Sequence, residues 1–178
     1  MYAGAVICLG GLIFAGIRMM SGRFQDLIPG LFGALFGAEC SVGEPVGSDL
    51  APEDDIAPGS IQPVVAINQD GARQIELMRW GLKLPDRLLF NARSEGIEGS
   101  KFWKDSFEER RIVPASAFIE WQQVPKGQKK PKYEIGVSGR DIIGFAGLWA
   151  PWKNQKTEQW EDTFSVFTTD PNAKMLMS

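Results

Sequence analysis

One carboxylate stands where this chain could do chemistry. In Arg110-Arg-Ile-Val-Pro-Ala-Ser-Ala-Phe-Ile-Glu-Trp121 an apolar run leads into Glu120, and an indole follows it directly. Two further groups stand upstream in Asn91-Ala-Arg-Ser-Glu95, and Arg23 lies earlier still in Met20-Ser-Gly-Arg-Phe24. Taken alone, Glu120 reads as the exposed end of a strand, and Asn91 with Arg93 as a turn and its ion pair. A sharper reading of these groups depends on what the rest of the chain shows. The chain holds no histidine, which excludes a histidine-based triad or proton shuttle and histidine-ligated zinc within it. Acid–base work must fall to carboxylates, an α-amine, lysine or tyrosine.

The elements that must position these groups are mostly strands. At 178 residues, 44% hydrophobic and 23% charged, the chain suits one domain with a true core, or one domain and a tail. Ile61–Ile67 and Gln74–Trp80 read as a hairpin across turn residues at Asn68–Gly71. Further strands are expected at Arg111–Val113, Phe118–Gln122, Lys132–Val137, Ile142–Trp149 and Thr163–Thr168. Val124–Lys132 reads as a solvated hairpin tip rich in Lys, Gly and Pro. Short helices are expected at Ser100–Glu109, after Asp170-Pro171, and where apolar residues recur with helical period from Leu27 to Phe36. Residues 41–55 read as an acidic surface loop.

Net charge is −3, which argues against a wholesale electrostatic grip on nucleic acid. The charge is unevenly spread, with six acids and no base from Glu39 to Asp55, but eight bases against four acids from Lys101 to Lys132. A local basic patch of this kind can hold a phosphate backbone. Cys8 and Cys40 make neither a metal-ligand spacing nor a disulfide framework, so a reduced, cytoplasmic setting is expected. Residues 1–19 form an apolar leader, too short for a typical spanning helix and without the basic start of a secretory signal. It is read as a start-site artefact, with the domain beginning at Met20 or Met19. A membrane anchor in Met1–Ile17 is the alternative.

The ordered set of short motifs resembles the SOS-response-associated peptidase family, also called abasic-site processing proteins, whose domain is abbreviated SRAP. The matching pieces are Met20-Ser-Gly-Arg-Phe, Ile56-Ala-Pro-Gly, Met78-Arg-Trp-Gly-Leu, Asn91-Ala-Arg-Ser-Glu, the Arg110–Trp121 stretch, Ala146-Gly-Leu-Trp and Phe167-Thr-Thr, spread over residues 20–178. The resemblance implies an α+β, mostly β fold with an open or barrel-like antiparallel sheet and a few short helices. It also implies covalent chemistry on abasic sites in single-stranded DNA, association with the nucleoid, and autopeptidase activity that removes residues ahead of the reactive one. Family members carry cysteine after the initiator Met; its α-amine forms a Schiff base with the sugar aldehyde, and the thiol closes a thiazolidine. An α-amine suits the task because its pKa of about 7.7–8.0 leaves much of it nucleophilic near neutral pH.

Carried onto this chain, the resemblance makes Ser21, Asn91 and Glu120 the catalytic candidates. Glu120 would move protons and Asn91 would orient the sugar or amine. Arg23 and Arg93 would hold phosphates. Trp80, Trp121 and Pro58 would offer apolar or stacking surface, and Gly22 and Thr168 would complete the DNA-contacting set. No cofactor, metal or obligatory protein partner is implied, and a monomer is expected. Two departures bear on the chemistry. Ser21 stands where the family has cysteine, so crosslinking is expected to be weak or reversible. The family's histidine would fall at about position 179, past Ser178, so the chain is expected to be a C-terminally truncated copy without its last strands. Asp54-Asp55, ahead of Ile56, would also repel phosphate. The alternative function is a degenerate, non-catalytic single-stranded DNA binder.

Overall fold

The computed structural model describes residues 56–100, 103, 106, 110–122, 124–140 and 142–169, together with the backbone of 7–8 and 12–18. Twelve strands are present among them. They are β1 (Ile7–Cys8), β2 (Leu12–Arg18), β3 (Ile61–Ile67), β4 (Arg73–Trp80), β5 (Leu82–Lys83), β6 (Leu88–Leu89), β7 (Asn91–Arg93), β8 (Arg110–Ala115), β9 (Ala117–Gln122), β10 (Lys132–Ile135), β11 (Ile143–Lys153) and β12 (Trp160–Thr169). A 3-10 turn covers Ile97–Gly99. No helix among the described residues is long and apolar enough to cross a membrane.

The expected hairpin forms with Ile61 opposite Arg79 and Ile67 opposite Arg73. Its turn is built by Asn68, whose Oδ1 accepts the N–H groups of Asp70 and Ala72, so the side chain supplies acceptors that the short connection lacks. From there the sheet runs β4-β3-β8-β11-β12, and β12 returns to pair with β4. Five strands therefore close into a barrel. The closing pair is parallel, Thr163 with Arg79 and Phe164 with Trp80, whereas the other barrel pairings are antiparallel. Closure removes sheet edges that would otherwise expose unpaired backbone groups.

The barrel is filled by Val64, Met78, Trp80, Val113, Phe145, Phe164 and Val166. Trp80 lies parallel to Phe164, with 6.3 Å between ring centroids, and edge-on to Phe90. Its Nε1 donates to the carbonyl of Phe90 at 3.0 Å, which satisfies the one polar atom of a buried indole. A second cluster, with Leu82, Ala92, Ile97, Trp103, Leu148 and Ala150, packs on the other face of the same strands. The three-stranded sheet β10-β9-β2 joins the barrel core through Phe118, which meets Phe145 edge-on at 5.8 Å.

Several expectations fall outside the described residues. They are the helical pattern of Leu27–Phe36, the acidic loop of 41–55, the helix after Asp170, and most of the helix at Ser100–Glu109, from which only Ser100, Trp103 and Ser106 are described. Within the leader, β1 pairs in parallel with β12, Ile7 opposite Thr168, and β2 pairs antiparallel with β9, Phe14 opposite Glu120.

Leaving β4, the chain bends sharply at Gly81, where φ is +104° and the N–H donates to the carbonyl of Phe164 at 2.7 Å. A Cβ here would lie 2.9 Å from Leu88 Cγ and 3.2 Å from Phe90 Cβ. Gly81→Ala thus adds a disfavoured left-handed backbone to a steric overlap beside the closing strand pair. The expected loss is about 2–4 kcal/mol of folding stability, read from chemical denaturation. Gly71→Ala, equally left-handed at φ +79° but with nothing near its Cβ, is expected to cost only about 1–2 kcal/mol. Equal losses at the two positions would show that the contact with Leu88 is not what fixes the bend.

Candidate functional site

Glu120 is carried inward by its own strand. On β9, residues Ala117 to Glu120 are all buried, and Glu120 has no exposed surface. Because side chains alternate along a strand, Glu120 shares a face with Phe118, which packs in the barrel core. It thus stands one step beyond the apolar filling. Neither carboxylate oxygen has a hydrogen-bond partner. Burial pushes its pKa up from 4.5 to about 8, since desolvation disfavours the charged form and nothing nearby offsets it. Near neutral pH the group is mainly a carboxylic acid, able to donate a proton and to take it back within a pH unit or so.

Asn91 and Thr168 are brought together by the β7–β12 pairing. The parallel register sets Ala92 against Phe167 and Arg93 against Thr168. Alternation then places Asn91, Arg93, Val166 and Thr168 on one face, with Ala92 and Phe167 on the other. Val166 belongs to the barrel core while Ala92 and Phe167 belong with the second cluster. Asn91 and Thr168 therefore project on the same side as the core that Phe118 enters. Asn91 Oδ1 and Thr168 Oγ1 are both buried and both lack a hydrogen-bond partner. Buried polar side chains are normally satisfied. The shortlist of those that are not includes three residues, Asn91, Glu120 and Thr168, that the sequence reading had singled out.

The remaining candidates are less uniform. Arg93 is half-exposed, its Nε 3.6 Å from Glu95, so its guanidinium reaches the surface. Pro58 is half-buried in the turn before β3. That turn is pinned by Gly59 N–H to the Trp80 carbonyl at 2.7 Å and by Arg79, which donates to the Gly59 carbonyl at 2.7 Å. Trp121 is half-buried on the face of β9 opposite to Glu120. Trp80 does not fit the stacking role expected for it: the ring is wholly covered, with Phe164 against its face, so no base can lie on it as placed. Ser21, Gly22 and Arg23 lie outside the described residues.

What the sequence reading missed is the backbone beside the site. β2 runs along Glu120 and β1 along Thr168, so each of these two short strands lies beside a strand that bears a candidate site residue. Their short apolar runs carried a strand signal, but such runs look alike in a buried strand, a buried helix or a leader.

Comparison with known proteins agrees with this geometry. Residues 20–177 match the family described as SOS response associated peptidase (SRAP). The chain belongs to that family, whose name ties it to the response to DNA damage. It is 31% identical over 94 residues to the abasic site processing protein YMR114C of Saccharomyces cerevisiae, a match that covers 47% of this chain and 25% of the yeast protein. Among solved structures, a protein from Bacteroides thetaiotaomicron shares the fold with a TM-score of 0.68 and 23% identity, over 89% of this chain and 69% of that one. A protein from Bordetella bronchiseptica does so with a TM-score of 0.64 and 18% identity, over 91% and 75%. The mostly β, barrel-like architecture expected of the family is the one observed.

The raised pKa of Glu120 has a signature in stability. The unfolded chain ionises this group near 4.5 and the folded chain near 8, so between those values the folded state holds a proton that the unfolded state has released. Stability must then fall as pH rises through that window. Glu120→Gln removes the titration, and the gap between its melting temperature and that of the parent is expected to widen from pH 4.5 to 8. At pH 9 the variant should melt about 5 °C or more higher. Parallel curves from pH 4 to 9 would mean that Glu120 ionises normally in the folded protein.

Proposed function

We propose that this protein recognises abasic sites in single-stranded DNA and, when the amine of Ser21 is free, joins it to the sugar aldehyde as a reversible imine. The observation that carries this reading is Glu120, a buried acid with both oxygens unpartnered and a pKa of about 8. A purely structural carboxylate would be hydrogen-bonded or at the surface. Among the described residues no group supplies a partner for this one. Family membership and the name of the yeast relative support the choice of substrate.

Imine formation needs two proton movements. The amine nitrogen adds to the aldehyde carbon, and the resulting hydroxyl must then leave as water. Glu120, neutral near pH 7, would protonate that hydroxyl, and its carboxylate would accept the proton shed by nitrogen. Asn91 would hold the sugar or the amine by its free amide oxygen, with Thr168 beside it. Arg93, at the surface, and Arg23 would bind flanking phosphates. With Ser21 in place of cysteine, ring closure would rely on a hydroxyl, a weaker nucleophile than a thiolate, so the imine would stay open to hydrolysis. The family's peptidase activity would act on the residues before Ser21 and thereby free its amine.

Borohydride trapping tests the assignment, because it reduces an imine to a stable secondary amine. Two preparations are compared on an oligonucleotide with one abasic site: the full chain, and one beginning at Met20, each checked for folding and for its N-terminal residue by mass spectrometry. A trapped adduct is expected wherever Ser21 is the N-terminus, with little heat-stable adduct when reductant is omitted. Glu120→Gln should slow trapping by about 100-fold. Binding without a trapped adduct would leave a non-catalytic DNA binder, and a heat-stable adduct without reductant would refute reversibility.

A further inference from the structure

The β9–β10 hairpin holds a combination that the chemistry at Glu120 does not use. Register sets Tyr133 directly opposite Glu120 and Ile135 opposite Phe118. Directly opposed residues of an antiparallel pair share a face, so one face of the hairpin runs outward from Ile135 and Phe118, against the core, to Tyr133 and Glu120. Along that line burial changes abruptly on β10. Glu120 is fully covered, yet Tyr133 is 46% exposed. Its hydroxyl donates to Gln122 Oε1 at 3.2 Å, across the same face, which holds the phenol in place while its ring stays open. Beyond Gln122, the loop carries Lys126, Lys129 and Lys130, all exposed. Lys126 is six positions along the chain from Glu120, and Lys129 and Lys130 are four and three positions from Tyr133, the residue paired with Glu120, so each lysine backbone lies within about 20 Å of that of Glu120.

An exposed, fixed aromatic ring beside a buried reactive group, followed by a run of solvated ammonium groups, is what binding of a flexible polyanion with flat bases requires. Stacking on the ring tolerates any base, and the lysines neutralise phosphates without reading sequence. The overall charge of −3 makes a local patch of this sort the more necessary for such a ligand.

The geometry points to the β9–β10 hairpin as a binding surface for single-stranded nucleic acid, in which Tyr133 stacks on a base beside the buried Glu120 and Lys126, Lys129 and Lys130 hold the adjoining phosphates. The inference rests on the reading that this protein binds single-stranded DNA, and goes beyond it by assigning residues to the strand on either side of the reacting sugar. It adds a role to the Val124–Lys132 tip, whose lysines are exposed.

The test uses the full chain and an undamaged single-stranded oligonucleotide, so that no covalent step intervenes, with affinity measured by fluorescence anisotropy across a salt series. Lys126→Gln/Lys129→Gln/Lys130→Gln should weaken binding at low salt and flatten the slope of log affinity against log salt by about 2, from three contacts at about 0.7 each. Tyr133→Leu should weaken binding about 5- to 100-fold with the slope unchanged, while Tyr133→Phe, which keeps the ring, should bind nearly as the parent does. All of these positions are exposed, and melting temperatures check that each variant stays folded. Parental behaviour of the lysine variant or of Tyr133→Leu overturns the inference but leaves DNA binding standing. Absence of salt-dependent binding by the parent removes the DNA-binding reading together with it.

Discussion

The structure depends on one seam, the parallel pairing of β12 with β4, where Phe164 lies flat against Trp80. Without it the antiparallel sheet β4-β3-β8-β11-β12 would be an open ribbon with two free edges. Closure brings Phe164 into stacked contact with Trp80 and leaves Trp80 with no exposed surface. The seam is short, two residues on each side, and it is secured by groups around it. Gly81 N–H donates to the Phe164 carbonyl, Ser165 Oγ to the Leu89 carbonyl, and Val166 N–H to the Phe90 carbonyl. Each of these bonds reaches from β12 to the chain that follows β4.

That series of bonds is also how the site is made. As β12 runs past β4 it takes β7 as its next neighbour, and the same register that pairs Ala92 with Phe167 turns Asn91 and Thr168 toward the core. Phe118 plugs β9 into that core and carries Glu120 in behind it. Three unpartnered buried polar side chains are an unfavourable thing to fold, each costing roughly 1–3 kcal/mol relative to a satisfied group. A closed barrel with a continuous aromatic filling can tolerate them because its geometry is fixed by contacts elsewhere. The candidate site is thus held by packing, and among the described residues no hydrogen bond ties up Glu120, Asn91 Oδ1 or Thr168 Oγ1.

Much of this was legible in the chain. Strand periodicity and turn residues located the β3–β4 hairpin and strands β8 to β12 nearly in place, and the motif order carried the fold. The motifs also prove to be physically joined. Ile56-Ala-Pro-Gly and Met78-Arg-Trp-Gly meet through the bonds of Gly59 with Trp80 and Arg79, and Met78-Arg-Trp-Gly meets β12 at Phe164. Other features could not be read. Periodicity says that a strand forms but not which strand it closes against, so Trp80 could be read either as core or, through the resemblance, as a stacking surface, and its burial by Phe164, 84 positions away, decides for the core. The desolvation of Glu120 has the same origin, since Glu-Trp at a strand end gives no sign that the carboxyl points inward. The apolar leader was ambiguous for a third reason: short runs without charge suit a strand, an anchor or a buried helix equally.

β9 therefore has two sides to its role. Through Phe118 it belongs to the core, and the same packing that stabilises the barrel strips water from Glu120 two residues on. Through its pairing with β10 it belongs to a surface hairpin, where Ile135 is half-buried and Glu134, Tyr133 and Lys132 are exposed. An acid needs a dry environment to hold its proton near neutral pH, whereas a charged polymer must be met in water. A strand that leaves the core at one end and enters solvent at the other would satisfy both requirements of the proposed function within a few residues. The position of Glu120 at that boundary, one step outside the apolar filling and directly across from an open aromatic ring, follows from the pleat of the sheet.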